Sequence, residues 1–239
     1  MKTISSNLRN NFIDGLTNKR RSKFYAREIP TRSINDYACI LLACVNVYNS
    51  GIIFPQGGAH AKREGTPNVD MILADLANNI YEYFTNKENA IIPEQKFNEL
   101  HTSWCNSFLE QMNTARVSVG YLPICYGSAQ KMINMVFKYL ACYEDYISFA
   151  DHFKWCHMPI DTVIMKWLKD RYHINDIYYR VRINAKGNEE LLAKYKNKTW
   201  TNFDNDLYND LLSVAREKIK ADPEFEDLSV LGVEFSIWE

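Results

Sequence analysis

The sequence predicts a mainly helical, all-α protein, and three observations carry that expectation. Glycine and proline are scarce, 9 and 7 residues in a chain of 239, too few turn-formers for many short strands. Apolar residues recur at helical spacing through most of the chain. Hydrophobic residues make up 46% and charged residues 24%, a globular balance that excludes disordered, collagen-like and low-complexity classes. The length suffices for a sizeable core.

The first segment, residues 1–32, reads as a basic N-terminal arm. It carries Lys2, Arg9, Lys19, Arg20, Arg21, Lys23, Arg27 and Arg32 against Asp14 and Glu28 alone. Residues 33–239 read as a single compact helical domain. Ser33-Ile34-Asn35-Asp36 reads as a capping box opening a helix from Ile34 to Asn49, stopped by Gly51. Ile40, Leu41, Leu42, Val45 and Val47 predict that this helix is central and buried. Pro55, Gly57, Gly58 and Gly65 mark a loop. Asn68 caps a helix to about Phe84, and Pro93 opens another to about Met112. Segments near 128–143, 161–171, 188–196 and 203–219 read as further helices, whereas Ile177 to Ile183 alternates as a strand does. No internal repeat is visible.

Net charge is −1, but it is unevenly placed. From Asp204 to Glu239 ten acids face only Arg216, Lys218 and Lys220. A basic start and an acidic end suit a polyanion held on one face, or simply two solvated surfaces of opposite sign. No apolar run approaches the roughly 18 residues of a membrane span. The polar start MKTISSNLRNNF lacks a signal-peptide pattern, so the expectation is a cytoplasmic protein. The six cysteines (Cys39, Cys44, Cys105, Cys125, Cys142, Cys156) form no C-x-x-C pair and read as buried free thiols. His152, Cys156 and His157 are the only metal-like cluster. They lack a fourth ligand at a usual spacing and read as structural or pocket-lining. No metal and no cofactor is expected.

The informative stretch is Tyr126-Gly127-Ser128-Ala129-Gln130-Lys131. Gly127 permits a tight turn, and Ser128 can cap the helix that follows. Lys131 then falls in the first turn, where the macrodipole favours an acid. The ammonium form is disfavoured there, which makes the side chain a usable nucleophile. Free N–H groups at the same helix start can hold a phosphate. Thirty residues later comes His157-Met158-Pro159-Ile160-Asp161. Pro159 keeps the preceding residue extended, and Asp161 caps an apolar helix. Taken alone, Asp161 is a helix cap and Lys131 a surface lysine.

Taken together, Gly127, Ala129, Lys131, Pro159 and Asp161 resemble the motif of the helix-hairpin-helix DNA glycosylase superfamily. The match centres on residues 115–170, and the lysine–aspartate spacing looks like that of the archaeal 8-oxoguanine branch. Ala129 stands where that family has its second hairpin glycine. The C-terminal third does not match the repair enzymes, which implies a divergent branch. One such branch removes glucosylated hydroxymethylcytosine from phage DNA. The resemblance implies a two-lobed fold with a central cleft, with DNA carrying a modified base as the partner, no obligate protein partner, and a monomer. It implies that the base is flipped out of DNA and its N-glycosidic bond cleaved. Asp161 would stabilise the sugar cation, while Lys131 would attack C1′ or orient the substrate. Gly127, Ser128, Ala129 and Gln130 would hold DNA phosphate through their amides. The segment Leu42 to Ser50 looks like the branch's first core helix, which carries a base-reading amide, here Asn49. Tyr48, Trp155 and His157 complete the expected base pocket, with Trp200 and Tyr208 as further stacking candidates. For each aromatic, a place in the core is the commoner role.

Three other readings compete. Ser128-Ala129-Gln130-Lys131 also spells the S-x-x-K of penicillin-binding proteins, but Lys198-Thr199-Trp200 fails the K-T-G that family needs. A non-catalytic helix-hairpin-helix module would use Lys131 as a phosphate contact and would dispense with Asp161. A helical interaction protein would bind no DNA.

Overall fold

The computed structural model describes residues 3–17, 29–53, 66–174, 179–183, 189–193 and 200–237. It is mainly helical. The helices are α1 (Ser6–Thr17), α2 (Tyr37–Ser50), α3 (Val69–Thr85), α4 (Glu94–Val117), α5 (Tyr126–Leu140), α6 (Thr162–Tyr172), α7 (Asn205–Lys220) and α8 (Val230–Ser236). Short 3-10 turns lie at Ile29–Thr31, Lys87–Ile91, Tyr146–Phe153 and Trp200–Asn202. Strands β1 (Tyr179–Ile183) and β2 (Glu189–Ala193) form an antiparallel pair, with Tyr179 opposite Ala193 and Ile183 opposite Glu189. No helix among the described residues is long and apolar enough to cross a membrane.

The molecule is built around α5, all 15 residues of which are buried. Helices α2 and α4 pack on it, α3 packs on both of these, and α7 and the Trp200–Asn202 turn close its other side. Tyr83 of α3 meets Phe97 and Trp104 of α4 and Phe137 of α5 edge-on, with ring centroids 5.5 to 6.1 Å apart. Such edge-to-face packing is the favoured aromatic geometry. The central helix is therefore not the apolar one that the sequence points to. Leu41, Leu42 and Val45 of α2 are only half-buried, whereas α5 buries Gln130, Lys131, Asn134 and Lys138. Those side chains make α5 look polar in the sequence, and each is matched by a polar partner in the fold.

Element starts follow the chemistry of the caps. Gly51 ends α2 in the left-handed region at φ 71°, and Asn68 and Pro93 stand just before α3 and α4 as expected. The start of α2 differs from the expected box. Asp36 is the cap, accepting from the Ala38 N–H at 2.9 Å. Ser33 instead donates to Asp145 at 2.6 Å, which also accepts from the Ile34 N–H. Residues 188–196, expected as a helix, contain β2. Pairing with β1 overrides the helix preference of Glu189, Glu190, Leu191, Leu192 and Ala193.

The basic arm is also more than an arm. Residues 6–17 form α1, whose Phe12 and Ile13 are buried, and Phe12 packs edge-on against Phe235 of α8. Arg9 lies over the Tyr146 ring at 4.8 Å. Lys2, Lys19, Arg20, Arg21, Lys23 and Arg27 lie outside the described residues. All six cysteines are free thiols; Cys44, Cys105, Cys142 and Cys156 are buried, but Cys125 is exposed.

Candidate functional site

The site assembles at the N-terminal end of α5. Cys125 caps that helix, so Ser128 lies inside it and Lys131 sits in its second turn rather than its first. Across from it, Asp161 caps α6. Its Oδ1 accepts from the N–H groups of Val163 at 2.8 Å and Ile164 at 3.1 Å. Its Oδ2 accepts from the Lys131 ammonium at 3.0 Å. The two side chains are 10% and 15% exposed, so the pair is shielded yet touches solvent. A carboxylate with one oxygen tied to a helix start and the other to an ammonium has a fixed direction.

Gly127 has a role the sequence did not suggest. Its N–H donates to the Phe203 carbonyl at 3.0 Å. A β-carbon at that position would lie 1.8 Å from the Trp200 carbonyl oxygen. The missing side chain lets the Trp200–Asn202 turn lie directly on the helix. That contact places the Trp200 indole 4.5 Å from the Lys131 ammonium, a cation–π distance. Lys131 is thus enclosed by Asp161 and Trp200.

Gly127, Ser128, Ala129 and Gln130 do not form the expected phosphate cradle. All four are buried. The N–H groups of Ser128 and Ala129 turn back to the Cys125 carbonyl at 2.9 and 3.4 Å, and that of Gly127 is taken by Phe203. A helix start holds an anion only where its amides are open.

Below the ion pair lies a buried polar network. The Gln130 amide donates to the carbonyls of Gly127 at 2.8 Å and Ile160 at 2.9 Å. Asn134, one turn on, donates to the carbonyl of Met158 at 3.1 Å and to the Tyr208 hydroxyl at 3.0 Å. Its carbonyl oxygen accepts from His101 Nε2 at 2.8 Å. Tyr208 in turn donates to His157 Nδ1 at 2.9 Å, and His157 Nε2 donates to Asn98 at 3.0 Å. These partners fix both tautomers in the neutral form. Burial pushes His101 down to about 4, and it holds His157 well below the ordinary histidine range, where the neighbouring His101 and Arg216 act the same way. The chain surfaces at Asn98 and Arg216, on a groove of about 1010 Å³ between α4 and α7. There Arg216 pairs with Glu94 at 2.7 Å.

The structure thus joins Lys131, Asp161 and Trp200 directly. His157 and Tyr208 belong to the supporting network, as buried links and not as open pocket walls. Tyr48 is buried near the end of α2, and Asn49 beside it is exposed. Trp155 donates its indole N–H to the Ile92 carbonyl at 2.9 Å and carries the Lys154 ammonium on its ring at 4.6 Å. His152 points elsewhere than His157, toward the Asn86 carbonyl at 3.4 Å. Among the described residues no group of three or more His, Cys, Asp or Glu could hold a metal ion. The sequence offered Gln130 only as a phosphate contact, and it did not single out Asn134 or His101. Their sequence signal is weak: two amides one helical turn apart on α5, and a single histidine on α4.

No protein-family model, curated protein or solved structure matches this chain.

Proposed function

We propose that this protein is a DNA glycosylase that takes a modified base out of the duplex and cleaves its N-glycosidic bond. The observation that carries the reading is the meeting of Lys131, in the second turn of α5, with Asp161, the cap of α6, at 3.0 Å, the two side chains 10% and 15% exposed. The remaining features of a two-lobed helix-hairpin-helix enzyme, including a cleft that admits DNA, belong to this proposal. So do a monomeric enzyme and a cytoplasmic location.

The chemistry follows from the pair. As the glycosidic bond breaks, its electrons leave with the base and positive charge builds at C1′ of the sugar. The ionised Asp161, held by Val163 and Ile164, opposes that charge. In the hydrolytic route water adds to C1′, losing a proton, and the base gains one. In the covalent route the Lys131 ammonium gives its proton to the departing base. Its freed lone pair then bonds C1′; the C1′–O4′ bond breaks, O4′ takes a proton from the nitrogen, and a protonated imine remains. Trp200, over the same ammonium, would stack on an entering base.

The test is base release from DNAs carrying 8-oxoguanine, uracil, alkylated bases, or hydroxymethylated and glucosylated cytosine, scored as alkali-labile breaks. Asp161→Asn keeps a capping oxygen, so its melting temperature should stay near wild type while release falls about 10²- to 10³-fold. Lys131→Ala should also abolish release. Breaks without alkali would assign the imine route. Undiminished release in both variants would remove the reading. Retained DNA binding with no release from any substrate would leave a DNA-binding module in its place.

A further inference from the structure

We propose that the side-chain amide of Gln130, backed by Asn134, is the positioning device that sets Asp161 against Lys131. The consequence for catalysis rests on the glycosylase reading; the positioning itself does not.

Gln130 pairs with the peptide of Ile160 in both directions. Its Nε2 donates to the Ile160 carbonyl at 2.9 Å, and its Oε1 accepts from the Ile160 N–H at 3.2 Å. An adjacent β-strand would hold that peptide in the same way. Asn134 braces Gln130 and the segment before Ile160: its Nδ2, whose two hydrogens are shared among these acceptors and the Tyr208 hydroxyl, lies 3.0 Å from Gln130 Oε1 and 3.1 Å from the Met158 carbonyl. Gln130 and Asn134 are both 0% exposed. Ile160 directly precedes Asp161, so fixing its peptide fixes the Cα of Asp161 and the first turn of α6. Helix α6 buries only Ile164 and Leu168, and its far end is tied by Arg171 and Tyr172 to Asp222. Met165, Trp167 and Tyr172 pack partly against the core as well, but apolar contacts are non-directional and leave a helix some freedom to slide or tilt. The amide pair removes that freedom at the end where it matters. Lys131 follows Gln130 on the same helix, so one rigid element carries both the ammonium and the clamp that locates its carboxylate. Gln130 touches neither substrate nor reacting atoms, and its role runs through Asp161.

The test uses Gln130→Met, which keeps shape and loses every hydrogen bond. The first readout needs no substrate: the ζ-nitrogen NMR resonance of Lys131, assigned by its loss in Lys131→Arg. In Gln130→Met it should move at least halfway toward its position in Asp161→Asn, although the variant still unfolds cooperatively. The second readout is base release. Turnover should fall about 10²-fold with KM nearly unchanged, and no further loss should appear when Gln130→Met is added to Asp161→Asn. If Gln130→Met does not fold, Gln130→Glu serves. As the neutral acid it restores both bonds to Ile160, so its Lys131 resonance should return toward wild type as pH falls. A wild-type resonance in Gln130→Met, or a Gln130→Glu resonance indifferent to pH, overturns the positioning role. If the wild-type protein releases no base, the glycosylase reading fails while the resonance still decides the positioning.

Discussion

At position 127 a β-carbon would lie 1.8 Å from the Trp200 carbonyl oxygen, because the Gly127 N–H draws the Trp200–Phe203 segment onto α5. The atom it would strike is backbone and a β-carbon has no rotamer, so neither can rotate away. Glycine to alanine inside a helix ordinarily stabilises by about 1 kcal/mol. Here the sign should reverse, with Gly127→Ala costing about 1–3 kcal/mol as overpacking does, measured as a lower urea midpoint. Unchanged or raised stability would show that the turn is free to lift. The residue was legible from sequence only as a turn-former before a helix. Its reason was not, because the atom it makes room for comes from a distant part of the chain.

Among the elements, α1, α5 and α8 meet around one buried ion pair. Lys138 of α5 and Glu234 of α8 are 0% and 1% exposed and 2.5 Å apart. Phe12 of α1 and Phe235 of α8 face the ammonium at 4.1 and 5.1 Å. Burial pushes the Lys138 ammonium below the ordinary lysine range, and the Glu234 carboxylate opposes that shift. Removing one partner leaves a buried charge without its match. Lys138→Met or Glu234→Gln alone should therefore cost about 3–5 kcal/mol, whereas Lys138→Met with Glu234→Leu should come near neutral. Chemical denaturation of the three variants checks this, and additive losses would refute it. Helix starts with a local signal, such as Asn68, Pro93 and Asp161, were readable in advance. Helices α1 and α8 were not, because they are short and stabilised by each other. Strand β2 was misread because its residues favour a helix and only its partner makes it a strand.

For the molecule as a whole, the His101–His157 pair links stability to pH. The rings lie 4.1 Å apart, both are neutral when folded, and both titrate well below the unfolded value near 6.5. The unfolded chain therefore binds more protons between pH 6.5 and about 4. Stability is full above pH 6.5 and is lost as pH falls through that window. His101 should remove about 1.5 kcal/mol between pH 6.5 and 5, and His157 acts in the same direction. Urea midpoints across this range check the prediction, and His101→Gln should roughly halve the slope. A flat profile would mean that the network readily accepts a proton. Because the same network carries Asn134 and reaches Ile160 through Gln130, base release should weaken over the same window.

The sequence by itself determined the mainly helical class, most helix positions and the two residues at the centre of the proposed site. Those follow from period, caps and local motif, which act over a few neighbouring residues. Only the tertiary structure decided which helix is central, that the amides of Gly127 to Ala129 are closed, that Trp200 covers Lys131, and that Gln130 places Asp161. Each of these depends on which distant backbone group meets a given polar side chain. A buried amide and an exposed one are spelled with the same letter, and only the fold supplies the partner that makes burial affordable.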